Sequence, residues 1–215
     1  MLNLASHHCM IKKHFCLFFI SRLSGCFLSR RSYELLNSVL SSQSCSLRGL
    51  DLSNHNLQDS GVKRLSTALQ SPHCTLETLR LGVFHLSEKS CEVLSSVLSS
   101  QSSTLKELDL SDNDLEDSGV KLLSAALQSP HCTLESLGLS HCLITEEGCT
   151  FLISSLSSNP SHMRELDLSY NHPGNSGMKL LSAALKDPRW RLETLRVEPA
   201  GVQWLRPGLK SLLKL

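Results

Sequence analysis

Apolar residues recur along the chain in two alternating rhythms. Stretches of the form Leu-x-Leu have period two, as in Leu108-Asp109-Leu110, and predict a short strand with both leucines on one face and the aspartate on the other. The rhythm then changes. In the run from Asp117 to Leu127, Val120, Leu123 and Leu127 stand at i, i+3 and i+7, which predicts a helix with one apolar face. Ser129-Pro130 ends that helix, as do Ser71-Pro72 and, in altered form, Asp187-Pro188. Its start is marked by Asp117 or Ser118, and the alternate helices by Ser87 or Thr145, all suited to an N-cap.

The whole strand-turn-helix unit repeats. Leu47, Leu76, Leu105, Leu134, Met163 and Leu192 follow one another in steps of 29 residues, with Phe18 one step before Leu47, and each opens the pattern L-x-x-L-x-L. Three residues after the third leucine stands Cys26, His55, Phe84, Asn113, Cys142 or Asn171, placed to turn the chain and bond the loop backbone. Repeats two, four and six share a template: Asp59-Ser-Gly-Val-Lys63, Asp117-Ser-Gly-Val-Lys121 and Asn175-Ser-Gly-Met-Lys179. The odd repeats have Ser/Thr-rich helix starts and the Cys91/Cys149 pair, so the true period is 58 residues. One unit cannot bury its own leucine face, but a stack can. The expected fold is therefore an α/β solenoid, a horseshoe of about seven layers with a parallel sheet on the concave side and helices on the convex side. Seven strands at ~4.8 Å spacing give a sheet about 30 Å wide. Residues 18–198 are assigned to repeats and 1–17 are left unassigned.

These motifs resemble leucine-rich repeats, in particular those of the cytosolic ribonuclease inhibitor and of the NOD-like receptors. The wording of Leu108-Asp-Leu-Ser-Asp-Asn-Asp-Leu115, of Asp117-Ser-Gly-Val-Lys-Leu-Leu-Ser-Ala-Ala-Leu127 and of Ser161-His-Met-Arg-Glu-Leu-Asp-Leu-Ser-Tyr-Asn-His-Pro173 is similar to the expanded fish group of those receptors. The tail Val197-Glu-Pro-Ala-Gly-Val-Gln-Trp-Leu-Arg-Pro-Gly208 resembles the bridge into their PRY-SPRY domain, so residues 199–215 are read as a C-terminal bridge. The resemblance implies a non-enzymatic, cytoplasmic interaction module of an innate immune receptor. The departures are specific: no Gly-x-x-x-x-Gly-Lys-Ser/Thr occurs, Ser21 replaces a leucine in repeat one, His55 sits in the Asn/Cys slot, and Pro173 holds a leucine slot.

Composition agrees with a repeated template. Leu (45 residues) and Ser (37) dominate while aromatic residues number only 10, unlike a mixed enzyme core. A net charge of +1 gives no nucleic-acid footprint. The apolar run Phe15–Ile20 is shorter than a signal-peptide core or a membrane span, and the one near-acceptor for N-glycosylation, Asn159-Pro160-Ser161, carries the excluded proline. Both point to a reducing, intracellular compartment.

Nine cysteines raise the question of metal or disulfide. Repeat phase separates Cys91 from Cys149, Cys26 from Cys142, and Cys74 from Cys132 by two or more layers, beyond disulfide reach, while Cys45 and Cys74 lie in adjacent layers and could approach but are kept reduced by the inferred compartment, so structural thiols are expected. His7-His8-Cys9 lacks a fourth ligand in phase, and no cofactor or metal is expected. No Gly-x-Ser-x-Gly or His-Glu-x-x-His occurs, so no catalytic residue is assigned.

The residues free of the leucine template are the outward ones on the strands. The middle position of L-x-L reads Asp51, Arg80, Asp109, Gly138, Asp167, Arg196, and flanking columns add Glu107, Glu165 and Glu198. Two readings apply. They form either a solvated face with weak lateral ion pairs worth ~0 to 1 kcal/mol each, or a polar concave surface for a protein partner, for which the sheet offers room for ~800 Å² per side. An alternative to the receptor reading, inhibition of a basic ribonuclease, calls for a strongly acidic horseshoe, which a near-neutral chain with Arg80 and Arg196 in the column does not supply. A receptor fragment without a function of its own is a further alternative.

Overall fold

The computed structural model describes residues 20–25, 28, 30–54, 58–158, 162–187 and 190–198. The expectations placed on residues 1–17, on Cys26, His55 and Asn159-Pro160-Ser161, and on the bridge at 199–215 fall outside these residues.

Strands and helices alternate in strict order. They are β1 (Ile20–Arg22), α1 (Arg30–Leu40), β2 (Gly49–Asp51), α2 (Gln58–Leu69), β3 (Thr78–Arg80), α3 (Glu88–Leu98) and β4 (Glu107–Asp109). The series continues with α4 (Glu116–Leu127), β5 (Ser136–Gly138), α5 (Glu146–Ser158), β6 (Glu165–Asp167), α6 (Gly174–Lys186) and β7 (Thr194–Arg196). All seven strands lie in one parallel sheet in sequence order. Every pairing joins residues 29 apart, from Ser21 with Leu50 to Leu166 with Leu195, so the repeat read from sequence is the sheet register itself. The ladder outlasts the three-residue strands: Leu81 N–H donates to Asp109 O (2.8 Å) and Val83 N–H to Ser111 O (3.1 Å), and equivalent bonds recur in each layer.

Strand spacing of ~4.8 Å and helix spacing of ~8 to 10 Å cannot both hold in a straight stack, so the sheet takes the inside of the curve. Between the layers runs one continuous core. Leu50, Leu79, Leu108, Leu137 and Leu166 point into it from the strands and meet Val62, Cys91, Val120 and Cys149 from the helices, none of them more than 1 % exposed.

Helix starts depart from expectation. α4 begins at Glu116 after Leu115, whose side chain makes no capping bond, and Asp117 does not cap its own helix. Its carboxylate instead reaches one layer on, accepting from Thr145 N–H (2.8 Å), Thr145 Oγ1 and Gly148 N–H (3.0 Å). Asp59 does the same for Ser87 N–H (2.9 Å), Ser87 Oγ (2.6 Å) and Ser90 Oγ (2.6 Å). The cause is position: in the first turn the side chain faces the neighbouring layer, where the next helix presents free N–H groups and a positive dipole end. Ser87 caps α3 as expected, accepting from Lys89 N–H at 3.3 Å, and Thr145 accepts likewise from Glu147.

The turn slot performs the bonding read from sequence, again across layers. Buried Asn113 donates to Leu81 O (3.0 Å), Leu110 O (2.8 Å) and Ser111 O (3.2 Å), and its Oδ1 accepts from Phe84 and Leu86 N–H (3.1 and 3.0 Å). Asn171 repeats the set on Leu139, Leu168, Ser169, Cys142 and Ile144. Cys142, in the same slot of repeat five, has a single donor for Leu110 O (3.2 Å) and Ser140 O.

Candidate functional site

Because successive residues of a strand face opposite ways, each strand sends one leucine inward and its two flanking residues toward the concave side. Register then turns those outward residues into columns. One is Asp51, Arg80, Asp109, Gly138, Asp167 and Arg196, the other Gly49, Thr78, Glu107, Ser136, Glu165 and Thr194. Over β3 to β7 these columns line a groove of about 500 Å³. Arg80, Glu107, Asp109, Glu165, Asp167 and Arg196 all border it.

Two of the expected residues stand apart. Asp51 lies one layer beyond the groove lining. Glu198 follows β7 on the rim, where its carboxylate accepts from Tyr170 OH at 2.9 Å; that bond and the adjacent negative charge hold the phenol above its ordinary pKa.

The aspartates have a second job. Asp51, Asp109 and Asp167 each use Oδ1 to accept from the N–H two residues on, at Ser53 (3.0 Å), Ser111 (3.0 Å) and Ser169 (2.9 Å). One oxygen of each is therefore committed to ending its strand, an Asx-type local bond. The lateral pairing expected along this column is thin as a result. Arg196 approaches Asp167 at 3.8 Å, while Arg80 makes no ion pair with Asp51 or Asp109. Gly138 is the empty place in the column, and a Cβ there would stand 2.7 Å from Asp109 Oδ1.

Most lateral pairing sits one row over, at the position following each opening leucine. Arg48 bonds Glu77 at 2.6 Å and Lys106 reaches the same carboxylate at 3.3 Å; Arg164 contacts Glu135 at 3.3 Å and Glu193 at 3.8 Å. Sequence reading missed this row, although its signal was present: taken every 29 residues, Arg48, Glu77, Lys106, Glu135, Arg164, Glu193 alternate in sign without exception. The row neutralises itself. Lys106, Glu135, Arg164 and Glu193 of that row line one side of the groove, beside the carboxylates of Glu107, Asp109, Glu165 and Asp167, with Arg80 and Arg196 toward its ends.

No group of His, Cys, Asp and Glu among the described residues has a metal-binding arrangement, and no described helix is long and apolar enough to cross a membrane. The six described cysteines are free and buried. Burial pushes the thiols of Cys91 and Cys142 up to about 12 and that of Cys149 to about 11, and it raises Cys74 and Cys132 as well. A thiol so held is protonated at neutral pH and is a poor nucleophile.

A family model described as Leucine Rich repeat matches residues 43–66, 101–124 and 159–182, which fall on repeats two, four and six. Among solved structures, the actin-binding site 2 of leiomodin-1 is similar at 16 % identity, over 70 % of this chain and 80 % of that one, with a TM-score of 0.49. The comparison with curated proteins finds no match. The matched repeats and the seven in-register layers make the chain a leucine-rich-repeat solenoid.

Proposed function

We propose that the chain is a non-enzymatic protein-interaction module that receives a protein partner on its concave face, in the manner of the repeat region of a cytosolic NOD-like receptor. The observation that carries this reading is the groove over β3 to β7, bordered by Arg80, Glu107 and Glu165, charged side chains that the leucine lattice does not need. Solenoids of this architecture use their extended concave surface for binding. The central carboxylates favour a partner that brings basic groups to the middle of the sheet, with the benefit falling mainly on specificity and association rate. Buried unpaired thiols support a reducing, cytoplasmic location. The resemblance of the tail adds the receptor setting, with residues 199–215 as the bridge toward a further domain.

The test reverses Glu107 and Glu165 together to Lys, because neither holds a strand end. Capture of cytosolic proteins and urea unfolding are then compared with the unaltered chain. Proteins retained by the parent and lost by a variant of equal stability support the concave face; equal capture of every partner overturns it. The receptor setting has its own test, sequencing of the transcript across both ends, where an adjoining nucleotide-binding segment supports it and an unrelated flanking frame removes it.

A further inference from the structure

The column at the middle position of the strands follows a rule that one layer breaks. Register carries it through the seven described strands: Asp51, Asp109 and Asp167 stand in the even repeats, and Arg22, Arg80 and Arg196 in odd repeats one, three and seven. Repeat five has Gly138 at this place. The alternation of sign therefore fails once, between two aspartates. The neighbouring column gives no compensation, since Ser136 of the same strand lies between Glu107 and Glu165.

The gap sits at the middle of the groove over β3 to β7, and the carboxylates beside it are committed only in part. Asp109 leans over the glycine, so that a Cβ there would meet its Oδ1 at 2.7 Å, and the same oxygen accepts from Ser111 N–H. Asp167 uses Oδ1 for Ser169 N–H and reaches Arg196 with Oδ2 at 3.8 Å. Among the described residues, no hydrogen bond or ion pair engages Asp109 Oδ2 or the carboxylate of Glu165. Two strand steps at ~4.8 Å put Arg80 and Arg196 each about 10 Å from the gap. Along the groove the column thus reads positive, negative, gap, negative, positive.

We propose that Gly138 is the specificity-determining place of the concave face. It seats one arginine or lysine side chain of a protein partner between Asp109 and Asp167, while Arg80 and Arg196 select acidic side chains about 10 Å to either side. This rests on the concave-face reading and adds to it the order of charges that the partner carries. Opposite charges at each place favour that order and like charges reject its inverse, an effect on specificity more than on affinity.

Two rigid peptides with blocked termini, titrated into the isotopically labelled full chain and followed by amide NMR shifts, test the seat. A polyproline II helix brings every third residue to one face at intervals of ~9.3 Å, so Glu-Pro-Pro-Arg-Pro-Pro-Glu carries the proposed order and Arg-Pro-Pro-Glu-Pro-Pro-Arg its inverse. Six carboxylates and four cations line the groove, so bulk attraction alone ranks the inverse peptide first. The expected result is the opposite: saturable shifts at Asp109, Gly138 and Asp167, and binding of the first peptide tighter by about fivefold or more. Asp109→Asn/Asp167→Asn removes both charges, keeps an acceptor for Ser111 and Ser169, and should abolish the preference. Gly138→Arg fills the gap with the chain's own cation and should abolish it as well; if that variant unfolds, the asparagine variant decides alone. Equal affinities for the two peptides, or a preference that survives in either folded variant, overturn the seat and leave the concave-face reading standing. Absence of groove shifts with both peptides up to about 5 mM also overturns the seat, and the capture comparison with Glu107 and Glu165 reversed then decides the concave face separately.

Discussion

Repeats four and six carry the polar side chains that repeat five lacks. Repeat five receives an aspartate from one side, where Asp117 takes up the N-terminus of α5, and an asparagine from the other, where Asn171 fills the donors and acceptors of its loop. Repeat three is held in the same way by Asp59 and Asn113. In return the odd repeats offer small apolar surface: a Cβ on Gly119 would meet Cys91 Sγ at 2.9 Å, and one on Gly177 would meet Cys149 Cβ at 3.4 Å. The 58-residue alternation is therefore an alternation of interfaces. Even repeats clamp and odd repeats are clamped, and directional hydrogen bonds fix the order of layers where leucine against leucine would accept any.

The sharpest way to break this comparison is to truncate the asparagine of an even repeat and the cysteine of an odd one in the same slot. Asn113→Ala strands Phe84 N–H, Leu86 N–H and Leu81 O in a buried loop, and at ~1 to 3 kcal/mol for each unsatisfied group, with some relaxation, the loss in urea unfolding is expected to be about 3 kcal/mol. Cys142→Ala removes one weak donor and a small apolar volume, for about 1 kcal/mol. Equal losses would erase the distinction between clamp and clamped.

Next in size is the cross-layer cap. Asp59→Asn is expected to cost about 1 kcal/mol at neutral pH, within the range for lost N-terminal caps. Burial raises the Asp59 carboxyl, but the hydrogen bonds from Ser87 and Ser90, with help from the charge of Lys89, outweigh it and leave the pKa below the ordinary value. A lowered carboxyl pKa contributes stability above the unfolded value near ~4 and loses it as pH falls through the folded value. Parent and variant should therefore converge as the pH drops below about 4, and parallel curves there would refute the charge-assisted cap.

What was legible in the sequence was everything that repeats within a layer. Leu108 and Leu110 declared the strand, Val120, Leu123 and Leu127 the helix face, and the 29-residue step the register. What was missed spans layers. Asp117 reads as a cap for its own helix because capping is usually local, and only the stack brings Thr145 and Gly148 within reach of it. The Arg48-to-Glu193 row was hidden for the opposite reason: it follows the same step as the leucines but occupies a position to which the strand pattern assigns no face. For the groove, the outward column was legible, whereas the shared duty of Asp109 and Asp167 was not, because an Asp-Leu-Ser sequence does not reveal which way the carboxylate turns.

Val83 offers an effect of similar size and opposite sign. Asn54, Val83, Asp112, His141 and Tyr170 occupy one slot at φ between 53° and 62°, where a β-branched side chain is strained. The slot in repeat four holds an aspartate and that in repeat three a valine 41 % exposed, so little apolar burial is at stake. Val83→Asn is expected to stabilise the chain by about 1 kcal/mol, read as a higher urea midpoint at unchanged slope.

The smallest expected effect separates the self-neutralising row along one side of the groove from the charged columns beside it. Arg164 is half exposed and bridges Glu135 and Glu193, so Arg164→Ala should cost no more than about 1 kcal/mol, and Lys106→Ala less, because Glu77 keeps its shorter contact with Arg48. Both differences should fade in about 1 M salt, where screening shortens to ~3 Å. The consequence for binding has the larger reach. Removing Arg164 frees two carboxylates beside Glu165, so a partner that brings basic groups should associate faster with the variant, and the gain should vanish with salt. Slower association would mean that Arg164 itself meets the partner, so that this side of the groove contacts the partner directly rather than through the charge balance of its carboxylates.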